Sequence, residues 1–161
     1  MLLSKPTLEI LVRLRSIADY QFGKGVGKVL IPDNVLVARS PNTLRIRHVV
    51  LEGKGTIATL RASDYLYSLH IIGGMLLKSG YKPPRFRVVI KNDIVDYVRD
   101  GGSVFTKHVV DYDPKLRAGS EVIIVDEDDN LIGVGKLRVS PVEIEYLGRG
   151  EAVKIRHTIG D

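Results

Sequence analysis

A chain of 161 residues, 44% hydrophobic and 27% charged, has room for one ordinary soluble domain or two small ones, and no apolar run approaches the roughly 20 residues that span a bilayer. The absence of cysteine excludes disulfides, zinc-thiolate centres, iron–sulfur clusters and thiol nucleophiles. A net charge of +5 suits a polyanionic partner, and it is unevenly spread: residues 1–84 hold 12 Lys+Arg against 5 Asp+Glu, whereas residues 85–161 hold 12 against 14.

The N-terminal segment MLLSKPTLEILVRLR has no basic leader, apolar block and small-residue cleavage site, so it reads as structure and the expected compartment is the cytoplasm. From Thr7 to Phe22, Leu8, Leu11, Val12, Leu14, Ile17 and Ala18 recur at helical spacing, with Pro6 at the entry and a glycine at the exit. Short runs of β-type residues follow at 28–31, 35–38, 43–51, 56–61 and 65–70, separated by turn residues, and a short helix is expected over 73–78. The segment GYKPP disfavours helix on both sides, which places a domain boundary between residues 84 and 85. Beyond it, 85–90 reads as a strand, Asn92 as the cap of a helix over 93–99, and Gly101-Gly102 as that helix's end. A strand over 104–111 and a single helical turn over 114–117 precede a hairpin, 121–125 with 131–138, joined by the acidic loop DEDDN. Ser140, Pro141 and Glu143 spell a capping box for a helix over 142–146, and a last strand runs over 152–156. The expected architecture is α+β: a small basic domain over 1–84, then a small β-barrel with helical caps over 85–161.

The glycine-rich stretch QFGKGVGKVL invites a phosphate-site reading. A P-loop frame ending at Gly27-Lys28 puts Phe22 at the first glycine and Val29 at the magnesium-holding hydroxyl, and the dinucleotide fingerprint requires other spacing and a preceding strand. The stretch is therefore a helix exit, with Lys24 and Lys28 placed to touch a nucleic-acid phosphate. DEDDN departs from a calcium loop at Leu131 and Leu137, where the turn glycine and the bidentate glutamate belong. The four histidines lie on separate predicted strands without metal-ligand spacing, and no G-x-S-x-G elbow occurs. No catalytic residue, metal site or cofactor is expected. What remains is cations alternating with apolar residues: Arg45 and Arg47 around Ile46, Arg85 and Arg87 around Phe86, and Lys154 and Arg156 around Ile155, each pair on one strand face if the period of two holds.

The stretch GGSVFTKHVVDYDPKLRAGSEVIIVDEDDNLIGVGKLRVSPVEI resembles the PUA domain, the RNA-binding module named after pseudouridine synthases and archaeosine transglycosylases. The similarity lies in the glycine pair, V-F-x-K, D-P-x-L-R-x-G, E-V-x-x-V-D and G-V-G-K. The upstream blocks DYQFGKGVGKVLIPDN and RIRHVVLEGKGTIATLRASDYLYSLHIIGG resemble the domain that precedes PUA in archaeosine tRNA-guanine transglycosylase. That family's catalytic barrel takes about 250 residues and has no room here, so the resemblance implies an archaeal-type, non-catalytic RNA-binding protein with a PUA-type pseudo-β-barrel as its second domain. It implies tRNA or another structured RNA as partner, bound at a stem or 3′ end, and a separate tRNA-modifying catalytic subunit. Carried onto this chain, the RNA surface is Arg99, Gly101, Gly102, Ser103, Val104 and Lys107, with Lys154 and Arg156 on the final strand. Lys24, Lys28, Arg45 and Arg47 form the secondary basic surface of the first half. The competing expectation is an adaptor, or a ribosome-associated protein, whose basic face docks another protein.

Overall fold

The computed structural model describes residues 2–160 and divides into two compact units, one up to Gly80 and one from Tyr81. Residues 81–84, which the proline pair assigns to the first domain, fold with the second. The Tyr81 ring packs edge-on against Phe86 at 5.3 Å, and its carbonyl accepts a hydrogen bond from Arg87. Among the described residues no helix is long and apolar enough to cross a membrane.

The first unit is an antiparallel meander, β1-β2-β3-β4-β5, with three helices. Its strands are β1 (Leu3–Ser4), β2 (Val35–Arg39), β3 (Ile46–Leu51), β4 (Gly55–Leu60) and β5 (Tyr67–Leu69); its helices are α1 (Leu8–Phe22), α2 (Val26–Leu30) and α3 (Ile71–Gly80). Helix α1 starts where the Thr7 hydroxyl accepts the Ile10 amide, and it buries Leu14 and Ala18. It is clipped to β5: Gln21 exchanges two hydrogen bonds with the Tyr67 backbone, and the buried Tyr67 hydroxyl donates to the Leu14 carbonyl. Burial pushes the Tyr67 phenol above its ordinary pKa, so it stays a donor.

The expected strand over 28–31 is helix α2. Gly25 takes the left-handed conformation at its start, and Gly27 sits against α1 so closely that a Cβ would lie 2.3 Å from the Arg15 carbonyl oxygen. The Asp19 carboxylate accepts the Gly27 amide at 2.6 Å. The glycines thus serve a tight helix-to-helix turn, and that amide is already occupied.

The second unit curls one sheet, in the order β7-β11-β10-β9-β6-β8, into a nearly closed pseudo-barrel. Its strands are β6 (Arg87–Ile90), β7 (Val104–Phe105), β8 (Val109–Tyr112), β9 (Glu121–Val125), β10 (Leu131–Leu137) and β11 (Glu151–Thr158); its helices are α4 (Val95–Arg99) and α5 (Pro141–Tyr146). Strands β6 and β9 are parallel and the other pairs antiparallel. The strand expected over 104–111 is broken by a one-turn 3-10 helix, Thr106–His108, so its halves become the two edges of the sheet. Residues 114–115 form a turn and 116–117 are irregular, with no helix. There Asp113 accepts the amides of Phe86 and Lys115. Val88, Ile90, Val98, Val104, Val122, Ile124, Ile132, Leu137 and Val153 fill the barrel. The Ser140 capping box opens α5 as expected.

Of two arginines read as surface cations, Arg87 is buried and Arg85 half-buried. Phe86 takes a positive φ of 64°, which resets the strand phase, and Arg87 is 1% exposed. Its guanidinium pairs bidentately with Asp129, at 3.0 and 3.2 Å, and donates to the carbonyls of Tyr81 and Arg85. Arg85 lies over the Tyr81 and Phe86 rings. The acidic loop is a built hairpin tip: Asp126 accepts the amides of Asp128 and Asn130, the Asn92 amide donates to the Glu127 carboxylate, and the Glu127 amide donates to the Asn92 side-chain oxygen. Asn92 therefore holds the loop, and the expected helix over 93–99 is a 3-10 turn (Asn92–Ile94) running into α4.

Candidate nucleic-acid interface

The C-terminus of α4 builds the first candidate surface. Gly101 has φ +104° and open space where a Cβ would stand, whereas Gly102 lies under the Tyr97 ring, with a Cβ position only 2.3 Å from it. The resemblance puts both glycines on the RNA surface; the structure spends their amides on the helix end, since Gly101 donates to Val98 and Gly102 to Tyr97. Gly102 supplies the clearance that lets Tyr97, 52% exposed, lie across the loop. His108 meets the rings of Tyr97 and Phe105 edge-on at 6.4 and 5.6 Å, and its Nδ1 accepts the Phe105 amide. Lys107 is exposed beside it on the 3-10 turn, and Lys91 adds a second cation near the same imidazole. Arg99 is exposed and 3.7 Å from Asp96, while Ser103 is half-buried.

Two assigned residues leave this surface. Val104 is fully buried and part of the barrel core. Arg156 is the extra residue of a β-bulge, because Gly135 faces Ile155 while Val134 faces His157. The bulge turns its guanidinium to Glu121, with contacts of 2.5 and 2.9 Å to a carboxylate that solvent does not reach. Its charge is matched internally. Lys154, two residues earlier, stays exposed and lies directly across from Lys136 on β10.

Residues 86–159 match the PUA domain, and residues 12–84 match the patch-forming domain C2 of tRNA-guanine transglycosylase. The chain carries a C2 domain followed by a PUA domain. It is 42% identical over 150 residues to the tRNA-guanine(15) transglycosylase of Methanothermobacter thermautotrophicus, covering 93% of this chain and 23% of that enzyme. The chain thus spans about a quarter of the length of that curated relative. A hypothetical protein from Pyrococcus horikoshii shares the fold with a TM-score of 0.77 at 19% identity, over 99% of this chain and 96% of that one. A conserved PUA domain protein from Thermoplasma acidophilum does so with a TM-score of 0.64 at 20% identity, over 95% and 90%.

The C2 domain holds the secondary basic residues in two places. Lys24 and Lys28 are exposed around α2. Arg45 precedes β3 and Arg47 is the extra residue of a bulge between Ile46 and His48, yet both line one hollow with Arg61 and Tyr65. On the same sheet the Thr59 hydroxyl bridges two histidines, 3.0 Å from His48 Nδ1 and 2.9 Å from His70 Nε2. Sequence spacing could not show this pair, because β3, β4 and the residue after β5 bring it together. Tyr97, His108 and Lys91 were missed for a similar reason; the only local signal was an aromatic residue on the helix ahead of the glycine pair.

Burial, then Arg47, lowers the His48 pKa; burial, then Lys107 and Lys91, lowers that of His108 against the pull of Asp93. Unfolded histidines protonate near pH 6.5, and these two only below it. Their stabilising contribution is therefore present above about pH 6.5 and lost as the pH falls through the folded values. A thermal melting series should show Tm falling between pH 7 and 5, with a shallower decline in a His48→Gln/His108→Gln variant; an identical decline in the variant overturns the assignment.

Proposed function

We propose that the protein binds RNA, with tRNA as its ligand, and serves without chemistry of its own as an accessory to a tRNA-modifying enzyme. The observation that carries this reading is the tandem of C2 and PUA domains, 42% identical to a tRNA-guanine(15) transglycosylase, joined to a surface suited to RNA. That surface combines the exposed Tyr97 ring, a glycine-cleared loop and the cations Lys91, Arg99, Lys107 and Lys154. Cations placed around an accessible aromatic ring favour phosphates plus an unstacked base over a protein partner. The PUA half carries fewer cations than anions, so the C2 half supplies much of the long-range attraction.

Binding of the full chain to an intact tRNA, the same tRNA without its 3′ tail and an unrelated RNA duplex, at two salt concentrations, tests the reading. Preference for intact tRNA should survive the higher salt. Lys107→Ala and Lys154→Ala should each weaken tRNA binding and reduce the salt slope by about one unit. Equal, steeply salt-dependent binding to all three RNAs rejects tRNA as the specific ligand. A stoichiometric protein partner that survives nuclease and high salt would replace the reading with the adaptor.

A further inference from the structure

The C2 domain contains a concavity whose make-up its general basicity does not explain. Two adjoining hollows, of about 150 and 300 Å³, share Arg45, Ile46, Leu60 and Tyr65. Their floor is apolar, made by Ile46 and Leu60 of the sheet with Leu14 and Ile17 of α1. Their rim is guanidinium: Arg13, Arg39, Arg45, Arg47 and Arg61 line one or both, and no acidic residue does. Arg61 has Asp64 at 3.1 Å and Arg13 has Glu9 at 3.6 Å, but Arg39, Arg45 and Arg47 have no carboxylate partner among the described residues. Such crowding of like charge is unfavourable in isolation and is relieved by an anion.

The backbone supports a built site. Only two non-glycine residues of the C2 domain take positive φ, Leu44 at 62° and Tyr65 at 58°, and both line the larger hollow. Strained residues persist where surrounding structure over-determines them, typically at ligand clamps. Here Leu44 donates its amide to the Ser40 carbonyl and its carbonyl accepts from Arg39, while Tyr65 donates its amide to the Arg61 carbonyl. The two side chains remain accessible, Leu44 at 67% and Tyr65 at 43%. The Arg45 guanidinium lies 5.5 Å from the Tyr65 ring centroid and donates to its hydroxyl, which aligns cation and ring.

An apolar floor, an accessible ring and three rim guanidiniums without a carboxylate, those of Arg39, Arg45 and Arg47, match the parts of one nucleotide: a flat apolar base and its phosphates. A 300 Å³ hollow lies at the lower end of the roughly 300–1,000 Å³ typical of ligand sites, enough for a single base and too small for a dinucleotide. A duplex presents no free base face, so the fit selects a single-stranded or extruded nucleotide. We propose that this concavity receives one unstacked RNA nucleotide, its base between Tyr65 and Leu44 and its phosphates on Arg39, Arg45 and Arg47. The proposal rests on the RNA-binding reading and adds a second contact point, in a different domain from the Tyr97–Lys107 surface.

The test uses the full chain with a single-stranded ribohexanucleotide and an abasic ribose-phosphate hexamer of equal charge. Binding of the base-bearing strand should be tighter by about tenfold, as one stacked base supplies. Tyr65→Gly removes the ring while glycine accepts the φ of 58°, so Tm should hold and the preference disappear. Arg47→Ala should weaken both strands alike. Equal binding of the two strands by the parent protein, or a preference unchanged in Tyr65→Gly, overturns the nucleotide site. If the hexamers behave that way while Lys107→Ala still weakens tRNA binding, only the concavity falls. If the parent protein binds neither hexamer nor tRNA, both readings fall.

Discussion

Arg156→Ala is expected to destabilise the PUA domain by roughly 3–5 kcal/mol, the cost of leaving a buried charge without its partner. The Glu121 carboxylate has no solvent exposure, and both its oxygens receive a guanidinium hydrogen bond from Arg156. Truncating the arginine leaves that anion inside the sheet, while removing both groups at once, as in Glu121→Leu/Arg156→Met, should recover most of the loss. For a domain of this size each kcal/mol shifts Tm by about 4–8 °C, so the single variant should melt well over 10 °C lower. The outcome bears on function, because a PUA domain of this pattern is expected to use the position for RNA. A folded, normally stable Arg156→Ala that loses tRNA affinity would return the residue to the RNA surface.

Asp129→Asn is the second large effect, expected at about 3 kcal/mol. Asparagine keeps the shape and tolerates the left-handed φ of 62° at this position, so the substitution isolates the charge. It withdraws the counter-charge from Arg87, which is buried beneath the hairpin tip. Arg87→Lys should not be conservative either, since an ammonium cannot serve two carboxylate oxygens and two carbonyls in the planar fork geometry seen here. Denaturant unfolding of Asp129→Asn with a loss below about 1 kcal/mol would show the pair to be dispensable.

These two ion pairs account for much of the reassignment of cations. Of the alternating pairs, Arg85 and Arg87 are drawn into rings and a salt bridge, Arg156 into another, and Lys154, Arg45 and Arg47 remain available to a partner. The surface that survives is smaller than the sequence suggested and richer in aromatic groups, which shifts its chemistry from plain polyanion attraction toward contact with bases.

Features that depend on near neighbours along the chain were legible before folding is considered. Helix α1 followed from its apolar spacing and the start of α5 from Ser140, Pro141 and Glu143. The hairpin of β9 and β10 followed from two β-rich runs around an acidic turn. The long ordered pattern from Gly101 to Ile144 was enough to indicate the PUA fold. Tertiary structure decided which side chains are free to bind. A period of two assigns faces only while the strand stays regular, and the bulges at Arg47 and Arg156 and the positive φ of Phe86 each reset the phase. Whether a cation is spent depends on which carboxylate the neighbouring strand presents, as Glu121 on β9 does to Arg156 on β11. The same holds for the Thr59-bridged histidines and the arginine-rimmed hollow: their members lie far apart in sequence, and only the folding of the sheet against its helices brings them within reach of one another.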